Sequence, residues 1–310
     1  MSDVQAGSVA ASGGASGGAL TVPCGFKFSG TAWGLFGQLF VSYLLTAVTF
    51  GLYFPWLICR LQRWTTENIN LVDSQGNKVT MRFTGTGGEL FGAFISGMIL
   101  TVITFGVYGF WFAVNMIKFV TDNTEGTTPD GKQVKVSFTG TGGELFGTLF
   151  VGYVLTIVTA GLYMPWFFCQ MIRWLYSHIQ IQAGGDDLIT LSFQGTGGAF
   201  LGIFIVGYIL TFLTFGIYSF WLQVNIWKFQ HENTVVTLPS GNRLAVSFTG
   251  TGGEFAGLTI IGMILTCITC GLYYFRFMVT EIQFQTDNIK IGAYSDASSS
   301  AAGVPKSLQA

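Results

Sequence analysis

Charge is what this sequence has least of. Only 9% of its 310 residues are Asp, Glu, Lys or Arg, against roughly a quarter in ordinary globular domains. The net charge of -1, with no basic stripe, argues against a nucleic-acid partner. The uncharged runs from Leu90 to Ile117 and from Leu145 to Ile172 exceed the about 20 apolar residues that cross a bilayer. We therefore predict a polytopic α-helical membrane protein with the lipid bilayer as its partner.

Residues that carry chemistry are also scarce. Five cysteines, an odd number, and two histidines provide neither a disulfide framework nor ligands at metal spacing. Cys267 and Cys270 form a C-x-x-C pair inside an apolar run, where an equivalent unit has Val102 and Phe105, so we interpret both as packing residues. No nucleophile and base stand together in a recognisable motif. We expect no catalytic residue, no metal, no cofactor and no enzyme activity.

The chain repeats itself five times with a period of 55 residues. The ten residues from Phe83 to Gly92 recur letter for letter from Phe138 to Gly147, and looser copies begin at Phe28, Phe193 and Phe248. A fixed period of this kind is typical of a repeat architecture. We predict one membrane domain between two disordered tails. The predicted boundaries are 1–22 and 293–310 for the tails, 23–292 for the domain, and 28–82, 83–137, 138–192, 193–247 and 248–292 for its units.

Each unit is predicted to contain a short β-hairpin and two helices. Val79, Met81 and Phe83 alternate with polar residues, which indicates a strand, and turn residues precede it. The signature Thr-x-x-Thr-x-Gly-x-Tyr, which has the same spacing in every unit, then divides each apolar run, because Gly is a natural C′ residue. Two helices of about 15 residues give about ten membrane helices, with the β-hairpins on one membrane face. One tilted span per unit is the alternative. The predicted helix breaks are Gly51, Gly106, Gly161, Gly216 and Gly271.

The glycine-rich motif itself has two interpretations. Its Thr-x-x-Glu spacing is that of a capping box, in which the two side chains bond each other's backbone amides. A phosphate-binding loop is the alternative, but the Lys of a P-loop and the third Gly of a dinucleotide fingerprint are missing. The predicted structural caps are Thr86, Glu89, Thr141, Glu144, Thr251 and Glu254.

A polar stripe follows the second helix of the units at i, i+3 spacing. Polar residues within a membrane span usually face a bundle interior or water, so the stripe predicts a polar cavity. The alternative is that this end of the helix leaves the membrane. The candidate stripe residues are Arg60, Arg63, Asn115, Lys118, Gln170, Arg173, Asn225 and Lys228.

The two ends of the repeat array differ from its interior. Unit 5 has Arg276 where the other units have Trp, as terminal repeats often do. The chain also begins with an unpaired strand, Gly25 to Ser29, and ends with another, Asn288 to Ile291. We predict that these two strands pair and close the five units into a ring.

The motifs F-x-G-x-G-G-E-L-F and T-x-x-T-x-G-x-Y-x-x-W, followed by R/K-W/F, resemble those of the YjgN-like bacterial inner-membrane proteins over roughly residues 26 to 291. The resemblance implies a multi-pass protein of the bacterial inner membrane and supplies no catalytic residues. We expect a transporter, channel or lipid-handling protein whose cavity is lined by the second helix of each unit. The alternative is a structural membrane protein that forms homo-oligomers or organises the membrane. The sequence identifies no small-molecule or ion substrate.

Overall fold

The computed structural model describes residues 24–73, 75–185 and 187–294. The tail predicted at 1–22, and the tail predicted at 293–310 apart from its first two residues, lie outside these ranges. The strands are Cys24–Phe28 (β1), Ile69–Asp73 (β2), Lys78–Phe83 (β3), Thr124–Thr127 (β4), Gln133–Phe138 (β5), Ile179–Ala183 (β6), Leu188–Phe193 (β7), Thr234–Thr237 (β8), Arg243–Phe248 (β9) and Ile289–Ala293 (β10). The helices are Ala32–Val48 (α1), Phe54–Asn68 (α2), Gly87–Ile103 (α3), Gly109–Asp122 (α4), Gly142–Val158 (α5), Met164–Ser177 (α6), Gly197–Leu213 (α7), Ser219–Glu232 (α8), Gly252–Ile268 (α9) and Tyr274–Asp287 (α10).

The ten strands form a closed antiparallel barrel in which each strand pairs with its neighbours in the chain. The predicted pairing of the first and last strands is confirmed, because β1 pairs with β10 and places Cys24 opposite Ile291. A side chain adds to this closure, since the Phe28 amide donates to Asp287 Oδ1 at 2.7 Å. Closure leaves no strand edge exposed for pairing with another chain.

The helices pack outside the barrel as a second ring. Each helix packs against the next in the chain, and α10 packs against α1. The second helix of every unit also packs on a strand of the following unit, as α2 does on β3 and α10 does on β1. Each helical hairpin leaves the barrel and returns to it, so the five hairpin turns lie at the end of the helical layer farthest from the barrel.

The phenylalanine that starts each unit is buried where barrel and helices meet. Phe83 is fully buried and packs with Cys59 of α2 and Leu90 of α3. Gly85 leaves room for its ring, because a Cβ at that position would lie 2.5 Å from Phe83 Cζ. The motif Phe-x-Gly therefore serves packing between consecutive units.

The prediction of a polytopic α-helical membrane fold is wrong. None of the helices in the described ranges is both long enough and apolar enough to cross a membrane. The apolar runs that suggested spans are divided by the hairpin turns into helices of 17 residues or fewer, and 17 residues extend for about 25 Å, short of the ~30 Å hydrocarbon core. The β-hairpins are parts of one barrel instead of separate elements on a membrane face. The multi-pass transmembrane description and the location in the bacterial inner membrane are corrected for the same reason.

Candidate functional site

The first helix of each unit ends in the same turn. In unit 2 the Gly106 amide donates to the Thr101 carbonyl at 2.7 Å, and the Phe105 amide donates to the Val102 carbonyl at 3.1 Å. These two bonds define a Schellman motif. The left-handed C′ residue is Phe105, with φ of 50°, and Gly106 follows as C″ with φ of 91°. The break thus lies one residue before the predicted glycine. The C′ residues of the five units are Phe50, Phe105, Ala160, Phe215 and Cys270.

Threonine joins the two helices across this turn. Thr104 Oγ1 donates to the Leu100 carbonyl at 2.7 Å and accepts from the Tyr108 amide at 2.9 Å. The Tyr108 ring then stacks on Trp111, with centroids 6.2 Å apart and planes 16° apart. These contacts explain the signature Thr-x-Gly-x-Tyr-x-x-Trp, and they hold the tip of the hairpin in one conformation.

The surface around the turns is apolar and uncovered. Phe50, Phe105 and Phe215 are each 98% exposed. We name this surface the hairpin crown; it comprises residues 48–52, 102–107, 157–162, 212–217 and 268–272. A non-glycine residue in the left-handed region costs roughly 1–2 kcal/mol, and packing does not offset that cost at a fully exposed ring. A large contiguous apolar patch is typical of a binding surface.

An apolar groove opens beside the crown. It has a volume of about 580 Å³ between α4, α5 and α6, and Phe105, Ala113, Leu149, Met171 and Trp174 are among its lining residues. The position of Ala113 holds larger apolar residues in units 1, 3 and 5, namely Ile58, Phe168 and Met278, and these are packed in hydrophobic clusters. The small side chain at this position is therefore what leaves room for the groove. The Nε1 of buried Trp174 finds no hydrogen-bond acceptor among the described residues.

The predicted caps lie at the opposite end of the first helices. Glu144 N donates to Thr141 Oγ1 at 3.3 Å, and Thr141 N donates to Glu144 Oε2 at 2.9 Å. Reciprocal bonds of this kind close a capping box at three helices, α3, α5 and α9. The pKa of the Glu144 carboxyl is lowered, first by the Thr141 amide, then by its hydroxyl, and less by His178 and Lys118. The residues of this motif are engaged in capping, and Thr196 caps α7 without a glutamate.

Two of the three stripe arginines, Arg63 and Arg173, hold neighbouring units together. Arg63 donates from Nη2 to the Gly85 carbonyl at 2.9 Å and from Nε to the Phe83 carbonyl at 3.2 Å. Arg173 repeats both bonds in the next odd unit, at 2.7 Å and 3.4 Å, on the carbonyls of Gly195 and Phe193. Both guanidinium groups therefore bind backbone of the following unit, and the planar fork suits two carbonyls at once.

The remaining stripe residues also have local roles or lie apart. Arg60 Nη1 donates to Ser42 Oγ at 2.9 Å, and Gln170 Nε2 donates to the Thr148 carbonyl at 2.8 Å. Lys118 and Lys228 are half-buried near the capping glutamates of the next units and lower the pKa of those carboxyls. Asn115 is exposed and Asn225 is half-buried. Within the described ranges no hydrogen bond joins two of the eight stripe residues, so the structure does not bring them together.

The thiols divide into two classes. Burial raises the pKa of Cys59 and of Cys169 to about 11, although an arginine on the same helix opposes the shift in each case. Cys24 is buried as well, and burial likewise raises its pKa. Cys267 and Cys270 are exposed, so the interpretation of this pair as packing residues is wrong. The described residues contain no group of three His, Cys, Asp or Glu that could hold a metal ion.

Sequence reasoning missed the crown and the groove. The signal for the crown was present, because the residue before each break glycine is apolar in all five units, but apolar character alone does not distinguish an exposed tip from a core. The groove depends on one small residue in one unit, which only the comparison of equivalent positions singles out.

Comparison with known proteins agrees with the repeat. The model of a family described as "Bacterial protein of unknown function (DUF898)" matches three times, at residues 78–127, 133–185 and 189–238. No curated protein and no solved structure matches the chain. The three matches fall on consecutive units and confirm the resemblance to the YjgN-like proteins, which are this family. The chain belongs to the bacterial family of unknown function DUF898.

Proposed function

We propose that this protein handles lipid and that it attaches to lipid by inserting the hairpin crown into a single leaflet. The observation that carries the proposal is the near-complete exposure of Phe50, Phe105 and Phe215, each in a left-handed conformation that glycine adopts more easily. Five turns with this geometry project from one end of the helical ring. An apolar surface that is rigid, repeated and uncovered suits a hydrocarbon phase.

The depth of the apolar surface favours one leaflet. Apart from Trp33 at the barrel end, the exposed large apolar residues of α1 and its hairpin turn extend from Phe40 to Phe50, which is about 15 Å at the rise of a helix. That length equals about half of a ~30 Å hydrocarbon core. Most charged residues lie below this zone, on the caps and the barrel, so deeper insertion would take Glu89 or Glu144 out of water. Arg60 and Arg276 are exposed within its depth, and long arginine side chains can extend to the polar interface.

Burial of the three crown phenylalanines contributes a large part of the free energy that membrane binding requires. Full burial of one Phe side chain contributes about 1.5–3 kcal/mol, so three contribute about 5–9 kcal/mol before the cost of association. A micromolar complex corresponds to about 8 kcal/mol. The groove between α4, α5 and α6 opens beside the crown at Phe105, and we propose that it accepts an acyl chain drawn from the leaflet.

This proposal assigns no conducting path and no catalysis. Of the three arginines that were candidates for a polar cavity, Arg63 and Arg173 bind backbone carbonyls of the next unit, and Arg60 donates to Ser42 of its own unit. We propose a non-catalytic role because the buried thiols, Cys59 and Cys169, have raised pKa values and are poor nucleophiles.

Flotation with phosphatidylcholine vesicles tests the proposal. We expect the full chain to float with the vesicles, and the triple variant F50S/F105S/F215S to bind more weakly by roughly a thousandfold or more, from the loss of three buried rings. The matched control is Trp33→Ser, which removes a ring that is also exposed but lies at the barrel end of α1. Equal flotation of the triple variant and the wild type would refute lipid insertion. If the wild type does not float but self-associates, and the triple variant loses this self-association, the crown binds a second copy of the chain instead.

A further inference from the structure

Three positions of the repeat meet wherever the second helix of one unit packs against the next unit. Between units 1 and 2 they are Ile58, Phe94 and Met116, which lie in one hydrophobic cluster. The equivalent residues, 55 positions apart in the chain, are apolar at three further junctions. They are Ala113, Leu149 and Met171 in the groove, Phe168, Phe204 and Ile226 in a second cluster, and Met278, Leu39 and Leu61 in a third.

The junction between units 4 and 5 breaks this pattern. Its equivalent residues are Gln223 on α8, Thr259 on α9 and Glu281 on α10. Helix α9 packs against both α8 and α10, as α5 packs against α4 and α6 around the groove. Three polar side chains therefore occupy, at one junction only, a place that is apolar at the other four.

None of the three side chains has a partner in the described part of the chain. Thr259 is only 5% exposed, and its hydroxyl makes no hydrogen bond. Glu281 is half-buried, and burial raises the pKa of its carboxyl without any basic group nearby to oppose the shift. Buried polar groups are nearly always hydrogen-bonded, so a buried hydroxyl without a protein partner marks a place where a polar ligand can bind.

We propose that the junction of units 4 and 5 binds the ammonium group of an amine ligand, with Glu281 as its counter-ion and Thr259 and Gln223 as hydrogen-bond partners. A carboxylate in apolar surroundings is stabilised by a cation that donates hydrogen bonds to it. Ammonium has three such donors, which matches a carboxylate, a hydroxyl and an amide oxygen. A bare divalent cation fits less well, because it requires more oxygen ligands than one carboxylate offers.

A cluster of aromatic rings lies one helical turn from two of these residues. Phe255 stands one helical turn before Thr259, and Phe284 stands one turn after Glu281. The two rings stack at 5.4 Å, and Trp227 contacts Phe255 at 5.0 Å. Aromatic faces attract an ammonium group that has been removed from water.

Calorimetric titration of the full chain with n-butylammonium chloride tests the site, with n-butanol as the uncharged control of equal length. We expect n-butylammonium to bind and n-butanol not to bind. Glu281→Gln should weaken n-butylammonium binding about tenfold or more, as loss of a charge-assisted bond does, and Thr259→Val should weaken it by a smaller factor. Glu254→Gln, which changes an exposed carboxylate of the same unit, is the matched control and should leave binding unchanged.

The result that overturns the proposal is equal binding by the wild type and Glu281→Gln, or no binding of n-butylammonium at all. Glu281→Gln should fold, because it replaces an unpaired acid by a neutral group of the same shape. Vesicles then identify the source of the amine. Tighter binding to phosphatidylethanolamine than to phosphatidylcholine vesicles, lost in Glu281→Gln, assigns a lipid head group; equal binding assigns a free amine. Flotation itself depends on the crown, so the two proposals fail separately.

Discussion

Replacing the exposed phenylalanines of the crown by glycine should stabilise the fold and weaken lipid binding at the same time. Phe105 has φ of 50° and its ring is 98% exposed. The left-handed region costs an L-residue roughly 1–2 kcal/mol, and a substitution by Gly removes that cost. Gly itself lowers the free energy of unfolding by about 0.5–1 kcal/mol, because its unfolded chain has more conformational entropy. The net gain in the free energy of unfolding is about 0.5–1 kcal/mol for Phe105→Gly. Because the ring has no packing to lose, no opposing term beyond the entropy of glycine is expected.

The three phenylalanine tips belong to different units, so their effects should add. F50G/F105G/F215G should therefore gain about 2 kcal/mol, measured by urea unfolding followed by far-ultraviolet circular dichroism. Phe105→Ala is the matched control, since unit 3 carries Ala160 at this position with the same φ; it removes the ring, keeps the backbone cost, and should leave stability nearly unchanged. A glycine variant that is less stable than the alanine variant would refute the reasoning.

Three further predictions concern the junctions, the thiols and the caps. Arg173→Lys should lower the free energy of unfolding by about 1 kcal/mol, because a lysine ammonium group can replace only one of the two hydrogen bonds that Arg173 donates to backbone carbonyls. An unchanged midpoint of thermal unfolding would contradict this. At neutral pH, Cys59 and Cys169 should react with a thiol reagent only once the protein unfolds, since both are buried and their pKa is about 11. Reaction of either thiol in the folded protein would contradict their burial. The lowered pKa of Glu144 and Glu254 means that each carboxylate contributes stability above its ordinary pKa and loses it as pH falls through the lowered one. The wild type should thus lose its advantage over E144Q/E254Q on acidification, and a constant difference would contradict the assignment.

Local rules and periodicity were readable from the sequence. The capping pair Thr141 and Glu144 follows from side-chain chemistry within four residues, and it needs no knowledge of the fold. Ring closure was predicted from the number of strands: the array has one unpaired strand at each end, β1 and β10, and these two together form the missing hairpin. Both features depend on short-range spacing or on the exact period of the repeat.

What covers an apolar residue could not be read from the sequence. Phe83 and Phe105 are equally apolar, yet Phe83 lies in the core and Phe105 is exposed. Only the three-dimensional structure distinguishes these two environments. The membrane-spanning interpretation failed for this reason: each apolar run was divided into two helices of about 15 residues, but their apolar surface was assigned to a bilayer, whereas the structure packs these helices against one another outside a barrel. The position of the left-handed residue, one before the glycine, likewise emerges only from backbone angles.

The structure explains why the first and last units have different residues at two positions of the repeat. Trp56 lies over Gly87, where a Cβ would be 2.4 Å from the indole Cγ. At the closing junction the same two positions hold Arg276 and Ala32. The glycine is required only where a Trp from the preceding unit covers it, so the two departures belong together. From the sequence alone, Arg276 looked like ordinary divergence of a terminal repeat.

Lipid protection of a native thiol tests insertion of the crown most directly. Cys270 is the C′ residue of unit 5 and is exposed, so in Cys267→Ala it reports on the crown while the three other thiols are buried. A membrane-impermeant maleimide should label it rapidly in the purified protein and much more slowly once phosphatidylcholine vesicles are present. A cysteine introduced at Gln75, an exposed turn of the barrel, should label at the same rate under both conditions. Protection of Cys270 alone is the result predicted here; undiminished labelling of Cys270 with the protein bound to vesicles would contradict it.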